Sequence, residues 1–178
     1  MPRRKIPLAL GLIIGVLGTL VGFYLVFLAR QVAQTFWSFA LYVVAWGCLI
    51  FFPHDLTHFV TGRLVGVRFQ YYLIGKSPLS KLKVPVLSGA ASRLPVLVIK
   101  VDPSSLRGAS PGRRAVTFAS GAIASMVLPF FPAVASFGHI DPVATTVLFA
   151  LSISNAVLDA YLSPKVGDLH RAKPTSES

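Results

Sequence analysis

The chain has 178 residues, 54% of them hydrophobic and 13% charged, with a net charge of +11. So apolar a composition excludes an ordinary soluble domain and leaves room for one membrane unit. The basic residues lie between apolar runs, without the interleaved aromatic platform that holds bases, so the charge speaks for membrane topology and against nucleic acid. Cys48 is the lone cysteine, which excludes a disulfide framework and a Cys-rich zinc site and leaves His and carboxylate as metal ligands.

Four stretches have the length of a membrane helix, about 20 mostly apolar residues. Residues 6–29 follow the basic start "MPRRK", but their apolar core is longer than that of a secretion signal and no small-residue cleavage site follows, so the helix is retained. Gly11, Gly15 and Gly18 on this stretch point to close helix contacts. Residues 36–52 are short for a span and are completed to 58 by the turns of "HDLTH". Residues 115–137 and 142–162 supply the third and fourth spans.

Between the second and third spans, "VRFQYYLI" (67–74) and "LPVLVIKV" (94–101) are predicted strands, from their β-branched and aromatic content, separated by segments rich in Gly, Pro and Ser. Residues 1–170 therefore form a single integral membrane domain: an all-α bundle of four transmembrane helices, with a small β-rich cytoplasmic or membrane-skimming insertion over 64–114. Residues 171–178 form a polar tail.

With both termini in the cytoplasm of a multi-pass cell-membrane protein, sixteen of the 17 Lys and Arg residues lie inside and Arg30 alone outside, as the positive-inside rule requires. The basic loop is then expected to attract anionic lipid. The same orientation puts "HDLTH" and the segment after residue 160 at one membrane boundary, whereas His139 lies at the other.

Ionisable side chains at membrane depth are costly and mark function. His54 and His58 are one helical turn apart and share a face, so both imidazoles can meet one point. This is the spacing of the H-E-x-x-H zinc motif, in which the residue after the first His is the general base; here that residue is Asp55. The competing structural account has the two histidines hydrogen-bonded to lipid headgroups, with Pro53 marking the helix end. Hydrolysis at zinc needs a third protein ligand and one open position. Asp159, Asp168 and His170 are the candidates, and Asp168 also suits the cap of a helix starting "DLHRA". Asn155, one turn before Asp159, suits substrate binding, orientation of a ligand or an ordinary interhelical hydrogen bond.

Taken together, residues 36–170 resemble the site-2 protease family of intramembrane zinc metalloproteases. "FPHDLTHFVTGRLVGV" is similar to the family's first motif in His54 and His58. "TFASGAIASMVLP" is similar to its middle motif in Gly121 and Ala122, with Ser125 where the family usually has Asn. "SNAVLDAYLSPKVGDLHRA" looks like the Gly-Asp ending of compact, divergent members. The resemblance implies Zn²⁺ held by His54, His58 and Asp168, with Asp159 the alternative ligand, Asp55 as catalytic base and a membrane-protein substrate cut near the cytoplasmic face. Asp55 is the main departure, because the family carries Glu there and Asp is one methylene shorter. Slow catalysis, a helix drawn closer, or an inactive relative that binds or regulates membrane proteins are the three outcomes of that shortening.

Overall fold

The computed structural model describes residues 4–76, 95–166 and 168. The Ser-, Pro- and Gly-rich residues 77–94, His170 and the polar tail lie outside the described residues. The elements run β1 (Arg4–Pro7), α1 (Leu8–Ala29), α2 (Thr35–Leu64), β2 (Phe69–Lys76), β3 (Pro95–Val101), α3 (Pro103–Arg107), α4 (Pro111–Val127), α5 (Phe130–Ser136) and α6 (Pro142–Val166). Four helical stretches are long and apolar enough to cross a membrane: Leu8–Ala29, Thr35–Leu64, Pro111–Ser136 and Pro142–Pro164. Their outward residues are apolar, with Leu17, Leu20, Phe27, Phe51 and Val157 each more than half exposed. A protein whose apolar side chains face outward suits a hydrocarbon solvent better than water.

The short link over residues 30–34 sets α1 and α2 side by side. Glycines make the contact close, because a Cβ added at Gly18 would overlap the Phe52 ring and one at Gly11 would overlap the Tyr72 ring. α2 continues through Pro53 to Leu64, so Pro53 does not mark a helix end as the competing account had it, and the helix runs past the expected span of 36–58. Proline in a membrane helix forfeits one backbone donor, here the one that would have met the Leu49 carbonyl; one turn on, the Thr57 hydroxyl donates back to the Pro53 carbonyl at 2.9 Å.

α2 stops in a Schellman turn. The N–H of Val67 donates to the Gly62 carbonyl at 2.7 Å and that of Gly66 to the Arg63 carbonyl at 3.2 Å, with Gly66 at φ +86°, the left-handed position that favours glycine. The turn sends the chain directly into β2 beside the helix it has just left.

The sheet is antiparallel in the order β1-β2-β3. Tyr72 lies opposite Ile6 on β1 and opposite Ile99 on β3. Both expected strands are present, but the first span was expected from residue 6, whereas the chain forms β1 over Arg4–Pro7 and α1 starts at Leu8, while the insertion also carries α3. "RKIP" has no strand signature of its own; pairing with β2 decides its conformation. Val67, Phe69, Tyr72, Ile99 and Ala109 form one core beneath the sheet, and Val26, Ala29, Tyr42, Ala45, Ala133, Ile140 and Leu148 form another at the far end of the bundle.

The third span was expected as one helix over 115–137 and is instead α4 and α5, broken at Leu128 and Pro129. Pro129 and Pro132 remove two helix donors within one turn, and the Ser152 hydroxyl of α6 lies 2.9 Å from the Pro129 carbonyl. α6 starts on an Asp141 cap, whose carboxylate accepts the N–H of Val143 at 2.8 Å, and passes through Pro164.

Because Tyr72 is buried and cannot retreat from α1, Gly11→Leu is expected to lower unfolding stability in detergent by about 1–3 kcal/mol through overpacking. Gly47→Ala, where an added Cβ meets nothing within 4 Å, is expected to change it by less than about 0.5 kcal/mol. Paired denaturation curves check the difference.

Candidate metal centre

The two histidines stand on one face of α2, with ring centroids 4.7 Å apart and planes at 90°. Asp168, two residues beyond the end of α6, closes the group. Its Oδ2 lies 3.0 Å from His54 Nε2 and 3.2 Å from His58 Nε2, and the three donor atoms all lie within 4.8 Å of one another. Ligand atoms around tetrahedral zinc, with bonds of about 2.0–2.1 Å, stand about 3.3 Å apart, so the spacing already suits a shared ion.

His58 shows that this is more than a hydrogen-bonded cluster. Its Nδ1 lies 2.6 Å from the Thr117 carbonyl. A carbonyl only accepts, so Nδ1 carries a proton; in the neutral ring Nε2 then presents a lone pair, and in the imidazolium it carries a second proton. That nitrogen is buried and lies 3.2 Å from the Asp168 carboxylate oxygen, without a well-aligned hydrogen bond among the described residues. With the ring neutral, two lone pairs held this close repel unless a positive centre lies between them, and either a second proton on His58 or a metal ion supplies one. A proton can sit between one nitrogen and the carboxylate, whereas a metal ion answers all three donors at once. A ligating imidazole that donates its other N–H to a backbone carbonyl is also the usual support of a metal-bound histidine. The donor set of two imidazoles and one carboxylate suits zinc, whose usual four-coordination it would fill in three positions.

α4 makes the space for His58. A Cβ at Gly121 would fall on His58 Nε2 and on its neighbouring ring carbons, so only glycine admits the imidazole here. Ser125, one turn further on, has its hydroxyl 2.7 Å from His54 Nδ1. Burial opposes ionisation of Asp168, but the His54 and His58 rings facing it outweigh that and hold its carboxyl well below the usual carboxylate range.

Asp55 is turned toward the sheet. Its carboxylate faces the backbone N–H of Ile99 on β3 and is within electrostatic reach of His54, His58 and Asp168. Burial and the nearby Asp55 charge push the Tyr72 phenol upward. Asp159 also senses His54 and Asp168 electrostatically, but it is not among the three converging donors. Of the two aspartates considered as third ligand, the structure brings Asp168 to the imidazoles. Asn155 donates its amide to the Ser125 carbonyl at 2.8 Å, an interhelical bond joining α6 to α4. His139 lies at the opposite end of the bundle, with Nε2 3.1 Å from the Ala29 carbonyl.

The supports from Thr117, Ile99 and Tyr72 were not anticipated. The first two act through backbone atoms, which leave no mark in side-chain patterns, and Tyr72 reaches the site only through sheet pairing. No family model, curated protein or solved structure matches this chain.

Purified wild-type protein is expected to hold one divalent metal ion per chain by elemental analysis. His54→Ala, His58→Ala and Asp168→Ala are each expected to lose it, while Asp159→Asn keeps it. Metal loss in Asp159→Asn with retention in Asp168→Ala would reverse the assignment of the third ligand.

Proposed function

We propose that this protein is a membrane-embedded zinc metalloprotease, resembling the site-2 protease family, that cleaves other membrane proteins near the cytoplasmic face. The observation that carries this reading is the convergence of His54, His58 and Asp168 at one end of apolar helices, with Asp55 beside them. The charge asymmetry supports placing that end in the cytoplasm. Arg63, Arg68, Arg107, Arg113 and Arg114 belong to the same side and favour anionic lipid, each by about 1 kcal/mol near the surface.

When bound, a zinc ion supplies Lewis acidity toward a carbonyl oxygen and lowers the pKa of a water molecule toward neutrality. Asp55 is the chain's own candidate to take the proton from the attacking water and return it to the leaving amine. A helical substrate must first give up its internal hydrogen bonds. Among the described strands β3 has a neighbour only on its β2 side, so its other edge can replace those bonds by strand addition. Asn155 gives its amide to Ser125, which favours a bundle-holding role over contact with substrate.

One observation favours a second reading, that of an inactive relative which binds or regulates membrane proteins. Asp55 is shorter than the family's Glu and faces the Ile99 N–H, so its reach toward a water at the metal is reduced. The two readings separate in proteoliposomes containing a model transmembrane substrate. For the protease, cleavage falls about 10²–10⁴-fold in Asp55→Asn, stops on chelation, and rises in Asp55→Glu. Substrate capture and bound metal without product, from both wild type and Asp55→Glu, would establish the inactive relative instead.

A further inference from the structure

The two imidazoles are supported differently. His58 leans on a carbonyl, which holds a proton on its Nδ1, whereas His54 leans on a hydroxyl, which can donate or accept. We infer that Ser125 is a positioning residue for the metal centre: its hydroxyl accepts the Nδ1–H of His54 and so holds the Nε2 lone pair toward the ion. This deepens the metal-centre reading and rests on it.

The geometry supplies what the role demands. A His54 that ligates through Nε2 must carry its proton on Nδ1, and Nδ1 is 2.7 Å from Ser125 Oγ. Oγ must then place its own single proton elsewhere. Two carbonyls are within reach, those of Gly121 at 3.1 Å and Ile50 at 3.3 Å, and neither can do anything but accept. The chain of donors therefore has a fixed direction, from imidazole to hydroxyl to backbone. Ser125 itself is 4% exposed, so its hydroxyl is shielded from bulk water. Its carbonyl takes the Asn155 amide at 2.8 Å, which pins the residue between α4 and α6 and leaves the hydroxyl little freedom to drift from the ring.

Alanine at 125 would leave a buried Nδ1–H without an acceptor and remove the preference for the ligating tautomer. Outer partners of ligating histidines typically change metal affinity 10–100-fold when lost. Threonine keeps the hydroxyl at the same atom.

The test measures zinc affinity of the full-length protein in detergent by competition with a chromogenic chelator, alongside the His54 imidazole N–H resonance of the zinc-loaded, ¹⁵N-labelled protein. Ser125→Ala is expected to bind zinc 10–100-fold more weakly and to lose the protected Nδ1–H signal. Ser125→Thr is expected to keep the signal and bind within about threefold of wild type, a margin well inside the effect of losing an outer partner. Equal affinity and an intact signal in Ser125→Ala would overturn the role of Ser125 while leaving the metal centre standing. Equal losses in the Ala and Thr variants would also overturn it, because packing rather than the hydroxyl would then be responsible. Wild-type protein that binds no zinc would remove the metal centre and this role with it. If Ser125→Ala does not fold, the Thr variant decides together with the wild-type resonance, whose proton must be found on Nδ1.

Discussion

Three lone-pair donors in one poorly hydrated place form the constraint on which the structure turns. Asp168 brings a negative charge to two imidazole nitrogens, and His58, whose Nδ1 donates to Thr117, answers that charge at Nε2 either as an imidazolium or through a bound ion. In water such a mismatch would be screened and solvated; between apolar helices it is severe. An ion bound there turns the repulsion into attraction and ties α2 to the end of α6.

The remainder of the fold can be understood as the means of holding those donors. α2 carries both histidines because it does not stop at Pro53. Gly121 lets α4 come close enough for its carbonyl at 117 to meet one ring and its hydroxyl at 125 to meet the other. The Schellman turn after Leu64 folds the sheet back against α2, which brings Ile99 and Tyr72 to Asp55. The Asp55 carboxylate is thereby an acceptor for the backbone of β3, and under the proposed protease reading the same group would also have to serve as base.

Much of this was legible in the sequence, for identifiable reasons. Long apolar runs fix four helices by length alone, and a spacing of four residues puts His54 and His58 on one face wherever the helix lies. Gly121 stood out only through the resemblance of its stretch to a family motif, whereas Gly11, Gly15 and Gly18 stood out because small residues at a helix contact leave a pattern. Other features depend on contacts between distant residues and leave none. β1 forms only because β2 is there to pair with it. The break at Leu128 and Pro129 depends on how two prolines are accommodated by α6, and Pro53 shows that proline alone does not decide the matter. Asp168 and Asp159 could not be separated by local pattern, because which carboxylate arrives depends on where the chain goes after Pro164.

The most direct test of the central claim is X-ray absorption spectroscopy at the zinc edge on the purified, zinc-loaded protein. The account predicts a four-coordinate shell of nitrogen and oxygen ligands at about 2.0–2.1 Å, with the outer-shell scattering of two imidazoles. A shell without imidazole scattering, or one made of water and buffer oxygens alone, would contradict it.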